Sequence, residues 1–193
     1  DATWWTSCTR NERYLTDLIA NVRSTRGITS NEIWLTGFSG GAQFITQCYL
    51  PIRGNSLARG GTVVFGGGGR PNVSVTPFTA ATKANLSLHW VTGTQDIAAN
   101  SSERYDALGY AKAGASYCAG QGFKTSTTWV SGVTHSSITG TFGRYTGIAL
   151  DASRPTTNPT PTPTATPKPT ATATPKPTAT ATPKPTATAT ATP

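Results

Sequence analysis

The chain of 193 residues carries 16 Lys and Arg against 8 Asp and Glu, a net charge of +8, and 36% of it is hydrophobic. Three of the basic residues, Lys168, Lys176 and Lys184, lie in a terminal segment and the others are scattered without a recognisable nucleic-acid module, so no nucleic-acid partner is expected. No apolar run approaches the ~18 residues of a membrane-spanning helix, and no membrane partner is expected either.

Composition divides the chain near Pro155. From Pro155 to Pro193 it is almost entirely Pro, Thr, Ala and Lys, and PKPTATATPKPTATATPKP at 167–185 repeats every eight residues. Such a segment has no large apolar side chains and few backbone donors, so it is expected to be disordered, without a core. In polyproline II it extends by about 3.1 Å per residue. Thr beside Pro also suits an O-glycosylated stalk on a secreted protein. The reading is a linker over 155–193 to a module outside this chain, for example one that binds an insoluble polymer. Residues 1–154 hold all five Trp and form the folding domain. A chain of that size buries roughly 68–70% of its unfolded surface, enough for one core.

The chain starts at Asp1 and has no Met, so residue 1 reads as the product of processing or clipping rather than a translation start. Cys8, Cys48 and Cys118 have no metal-ligand spacing, and neither a metal nor a cofactor is expected. Three cysteines allow one disulfide with a free thiol, or a partner elsewhere; the pairing is left open.

In chain order, Leu15, Leu18, Ile19 and Val22 recur at helical intervals within 11–25, and Gly27 supplies a stop. EIWLT at 32–36 reads as a buried strand ending at Gly37. GAQFITQCYL follows as a helix closed by Pro51. GTVVFGGGG at 61–69 reads as a strand opening into a flexible glycine turn, and LSLHWVTG at 86–93 as a third strand. SERYDALGYAKAGASYC at 102–118 reads as a helix, STTWVSG at 126–132 as a fourth strand, and FGRYTGIAL at 142–150 as a closing helix. Strands alternating with helices predict an α/β fold, a mostly parallel sheet with helices on both faces.

In such sheets, sites form beyond the carboxyl ends of the strands. Ser39 follows the first strand, Asp96 lies three residues past the third, and His135 three past the fourth. A serine hydroxyl is a poor nucleophile until a base takes its proton, and the base works best when a third group fixes its tautomer. GFSGG at 37–41 matches G-x-S-x-G, in which flanking glycines permit a sharp strand-to-helix turn. The Gly40 N–H, at the helix start, could then face a developing oxyanion. Of two histidines, His89 is inside a strand and is assigned to packing, whereas His135 sits in a loop among small residues and is assigned as base. Asp96 is the preferred acid, with capping of the next helix as its alternative role; Glu103 and Asp106 read as solvated charges on that helix.

The order Ser39, Asp96, His135 resembles the α/β-hydrolase family. More closely, GFSGGAQF, the HWVTGTQD turn and the GVTH loop look like secreted esterases related to polyhydroxybutyrate depolymerases and feruloyl esterases, over residues 1 to about 150. The resemblance implies an acyl-enzyme mechanism on carboxylic esters, with Ser39 as nucleophile, His135 as general base and acid, and Asp96 as the orienting carboxylate. The partner it implies is an ester substrate, possibly polymeric, met outside the cell. The family has further strands before the serine and a loop there that gives a second oxyanion N–H. This chain has one helix and ten further residues before its elbow, so it reads as a partial fold whose N-terminal strands are missing, with little or no turnover expected. Two other readings share these residues: a serine peptidase of the same fold, and a non-catalytic secreted or surface protein carrying a degenerate half of a hydrolase.

Overall fold

The computed structural model of the chain describes residues 3–154; the segment 155–193, for which a linker is expected, lies outside the described residues. Four strands, β1 (Glu32–Phe38), β2 (Arg59–Phe65), β3 (Leu86–Gly93) and β4 (Lys124–Val130), form one sheet in the order β1-β2-β3-β4. All three pairings are parallel, with Leu35 opposite Thr62, Val64 opposite Trp90, and Trp90 opposite Thr127. The predicted α/β architecture is therefore the observed one.

Side-chain alternation along the strands feeds two cores. Leu35, Val64, Leu88 and Trp90 point into one, with Ala42, Ile45 and Tyr49 after β1 and Ala111, Ala115 and Cys118 before β4. Val63, Phe65 and Val91 point the other way, to Ile138, Phe142, Tyr145 and Ala149. These last lie on or just before α6 (Phe142–Ser153), while α5 (Ala107–Gly120) packs on the first face. Both faces of the sheet are thus covered.

Several elements depart from the sequence reading. The helix α1 (Cys8–Thr25) lays Leu15 and Ile19 against the core but leaves Leu18 and Val22 exposed, so its apolar stripe is only half used. Pro51 does not close the helix after β1. That helix runs as α2 (Gly40–Gln43), a π-helical stretch (Phe44–Tyr49) and α3 (Leu50–Arg53). The proline has no N–H to give, and the Gln47 carbonyl four residues back accepts from the Asn72 N–H instead, at 3.3 Å. A short helix, α4 (Ala80–Asn85), was not foreseen; Thr79 caps it through its side chain.

The helix expected from 102 begins only at Ala107. Asp106, expected on the helix face, is its cap and accepts from the Gly109 N–H at 2.9 Å. Gly66 to Gly69, expected as a flexible turn, are buried, and positive φ at Gly66, Gly67 and Gly68 suits residues without a Cβ. Gln43 Oε1 accepts from the Gly68 and Gly69 N–H groups, and the Trp90 indole N–H donates to the Gly68 carbonyl at 2.8 Å.

Two links tie α1 to the helix that follows Ser39. A disulfide joins Cys8 to Cys48, which settles the open pairing and leaves Cys118 as a buried free thiol, its pKa pushed up to about 12 by that burial. The buried Glu12 carboxylate accepts from Arg53 Nε and Nη2.

Candidate active site

Ser39 sits where β1 turns into α2, with φ 52° and ψ −116°. Positive φ at a residue with a side chain costs of order ~1–3 kcal/mol and needs surroundings that enforce it. Two backbone bonds do so: the Ser39 N–H donates to the Phe65 carbonyl at 2.9 Å, and the Gln43 N–H donates to the Ser39 carbonyl at 3.0 Å. The two motif glycines contribute unequally. A Cβ on Gly37 would lie 2.6 Å from the Gly41 carbonyl carbon and 2.8 Å from Ile45 Cδ1, so the turn closes only with glycine there. A Cβ on Gly41 would meet nothing within 4 Å.

The carboxyl ends of β1, β3 and β4 bring Ser39, Asp96 and His135 together. Ser39 Oγ–H points its proton at His135 Nε2, 2.9 Å away. His135 Nδ1–H donates to Asp96, at 2.8 Å to Oδ2 and 3.0 Å to Oδ1. One tautomer satisfies both contacts, with the proton on Nδ1 and the lone pair on Nε2. The Asp96 carboxylate is essentially buried, whereas the His135 side chain is about a third exposed. A hydroxyl so placed can pass its proton to the imidazole, and the buried carboxylate then faces the cation that results.

Burial pushes the Asp96 carboxyl above its ordinary pKa; the hydrogen bond and charge of His135 pull the other way, and Asp106 adds a further upward push. His89 is not brought to this group. It lies in β3 beside the Trp34 ring, centroids 5.9 Å apart, and burial lowers its pKa. Glu103 and Asp106 make no hydrogen bond with His135. Capping of α5 falls to Asp106, although the Asp96 carbonyl accepts from Leu108 N–H at 2.8 Å.

Gly40 opens α2, and its N–H has no acceptor among the described residues. It is a backbone donor adjacent to the serine at the positive end of a helix.

Other residues frame the group without having been visible in the sequence. The Phe38 ring lies 4.7 Å from the imidazole, and the Tyr105 ring meets it edge-on at 5.5 Å. The Tyr105 hydroxyl donates to the Gly66 carbonyl at 3.3 Å, and burial raises its pKa, so it stays neutral. A Cβ on Gly66 would lie 3.2 Å from both Asp96 Oδ2 and His135 Cε1. Tyr105 was masked by its place in a stretch read as helix, and Gly66 by a run that looked like a turn. No periodicity could have flagged Trp5, which packs on Gly40.

A polar cleft of about 560 Å³ bordered by Glu32, Arg59, Ser87 and Lys124 lies at the amino ends of the strands, the wrong end of the sheet for this chemistry. No group of three or more His, Cys, Asp or Glu among the described residues could hold a metal ion.

No family model matches the sequence, and no curated protein matches it. Solved structures do. Arabidopsis thaliana SOBER1 aligns over 77% of this chain and 65% of its own, with a TM-score of 0.55 at 17% identity. Atu2452 of Agrobacterium tumefaciens, a protein of unknown function, aligns over 76% of this chain and 63% of its own, with a TM-score of 0.53 at 18% identity. The chain thus spans just under two thirds of the length of these structures. At such identities the likeness is one of fold alone, a parallel α/β sheet covered by helices.

Proposed function

We propose that the protein is a serine hydrolase acting on carboxylic esters through an acyl-enzyme. The observation that carries this is the unbroken hydrogen-bond chain from Asp96 through His135 to Ser39 on a strained strand-to-helix turn.

The Ser39 Oγ proton passes to His135 Nε2 as Oγ bonds to the ester carbonyl carbon, and the carbonyl π electrons become an oxyanion. The Gly40 N–H donates to that oxyanion. The oxyanion collapses, the carbon–oxygen bond to the alcohol breaks, and His135 Nε2 gives its proton to the departing oxygen. Water then repeats the sequence on the acyl-serine, losing a proton to His135 and releasing the carboxylic acid and the free Ser39 hydroxyl. Asp96 keeps the imidazole proton on Nδ1 throughout and faces the imidazolium.

The narrower reading is a secreted enzyme of the polyhydroxybutyrate depolymerase or feruloyl esterase kind, acting on a polymer or plant-wall ester. Support for export comes from the Cys8–Cys48 disulfide, since such bonds persist in oxidising compartments. Support for a polymeric substrate comes from the Pro/Thr-rich segment 155–193, which suits a spacer to a binding module.

Labelling with a fluorophosphonate tests the proposal without requiring turnover. Intact-mass analysis of the full chain is expected to show one phosphonyl adduct, mapped to Ser39 and absent from Ser39→Ala. A folded protein that takes up no label would instead favour the non-catalytic reading.

A further inference from the structure

We infer that Trp5 is a specificity-determining residue, the wall of the substrate site on the Gly40 side, and that it selects esters with an extended apolar acyl group. The inference rests on the reading of Ser39 as the acylated residue.

Trp5 contacts the turn directly. A Cβ placed on Gly40 would fall on the six-membered ring of the indole, overlapping Cζ3 and Cε3, so glycine at this position is what lets the ring lie against the backbone next to Ser39. The ring is held there by surrounding structure. Buried Asn11 on α1 donates from Nδ2 to the Thr3 carbonyl at 3.1 Å and the Trp4 carbonyl at 2.9 Å, which pins the turn carrying Trp5. The neighbouring Trp4 ring packs on Phe44, in the helix that follows Ser39, with centroids 5.4 Å apart. The disulfide from Cys8 to Cys48 fixes α1 to the same helix.

Despite these restraints Trp5 remains 45% exposed, so much of the indole is not used in packing. Gly40 N–H meanwhile has no acceptor among the described residues. The chemistry orients what would meet these groups. A carbonyl oxygen accepting from Gly40 N–H is next to the indole, while the departing alcohol must lie toward His135 Nε2, which returns its proton. The imidazole side is already bounded by Tyr105 and Phe38. The acyl portion is therefore the part of the ester placed to cover the open indole face. Covering an exposed aromatic surface favours a longer apolar chain over an acetyl group, by about 10- to 200-fold for such pocket differences.

The test measures acylation of the full chain in excess over 4-nitrophenyl acetate and 4-nitrophenyl octanoate, followed by nitrophenolate release. A constant leaving group confines the comparison to the acyl side. Wild type is expected to acylate with octanoate at least about tenfold faster than with acetate. Trp5→Ala should bring that ratio close to one by slowing octanoate acylation, and Trp5→Phe, which keeps an aromatic face, should retain most of the preference. Equal loss on both esters in Trp5→Ala, or an unchanged ratio, overturns the inference and leaves the Ser39 reading intact. Absence of both acylation and fluorophosphonate labelling in folded wild type overturns the Ser39 reading and this inference with it.

Discussion

The hydroxyl of Ser39 is delivered by strain, and the residues that hold the strain are open to test. Gly66 has φ +55°, and a Cβ there would crowd Phe38, Asp96 and His135 together. Gly66→Ala should lose about 1–2 kcal/mol of stability from its backbone conformation alone, seen by urea unfolding, and should slow fluorophosphonate labelling as the imidazole is pushed off Ser39. A variant that is destabilised but labels at the wild-type rate would show that the glycine serves only the fold. Asp96 is a second case, since burial, above all, raises its carboxyl above the ordinary carboxylate pKa. The folded protein therefore binds that proton more tightly than the unfolded chain does. The resulting stabilisation is full below about pH 3.8 and is lost as pH rises through the higher folded value, so ionised Asp96 opposes folding at neutral pH. Asp96→Asn is expected to be at least as stable as wild type at pH 7, with its advantage in Tm shrinking toward pH 3.5, while labelling of Ser39 falls by about 10⁴-fold. An unchanged labelling rate would remove Asp96 from the mechanism. Ser39, Asp96 and His135 were legible because each follows a strand in a short loop, where residue type and chain position together carry information. Tyr105 and Trp5 were not, because what places an aromatic ring beside a site is tertiary packing.

At the scale of elements, the strands and their parallel direction could be read from short apolar runs separated by helices, and β3 was found with its observed limits. Helix ends were harder, for local reasons. Pro51 looks like a stop, yet its missing N–H is harmless where Asn72 supplies the donor from another segment. SERYD at 102–106 looks helical by composition, yet Asp106 holds its own side chain across the start of α5 and sets the first turn there. The association of α1 with the helix after Ser39 was likewise illegible, because three cysteines permit several pairings. That association now makes a prediction. The Cys8–Cys48 bond spans a sequence separation of 40, and closing a loop of that size in the unfolded chain corresponds to about 4 kcal/mol in the chain-entropy model. Cys8→Ser, or reduction of wild type, should lower the urea midpoint accordingly. Because α1 also carries the turn that holds Trp5, the variant should lose octanoate preference under conditions where it is still folded. Retention of both stability and preference would mean that Glu12–Arg53 and the aromatic contacts suffice to seat α1.

For the molecule as a whole, the telling feature is where the serine lies in the sheet. β1 leads directly into Ser39, and among the described residues it has a hydrogen-bonded neighbour on one side only, β2. Parallel sheets are ordinarily covered on their faces and shielded at their edges, because a bare strand offers a row of N–H and C=O groups to any other chain. The sequence of β1, EIWLTGF, has one acidic residue at its start, no basic residue and no proline, so it carries little to discourage such pairing. Thr36 is exposed on this strand. The folded domain is therefore expected to self-associate through β1, with mass by light scattering rising with protein concentration. Thr36→Lys places a charge on the exposed strand and should raise the concentration at half-association by about tenfold or more, without changing helix content by circular dichroism. Monomer at all accessible concentrations, or association indifferent to Thr36→Lys, would show that the edge of β1 is protected by other means. Self-association through β1 would also bring the two Ser39 turns near the interface. Labelling of Ser39 should then slow as concentration rises, and the slowing should be absent in Thr36→Lys.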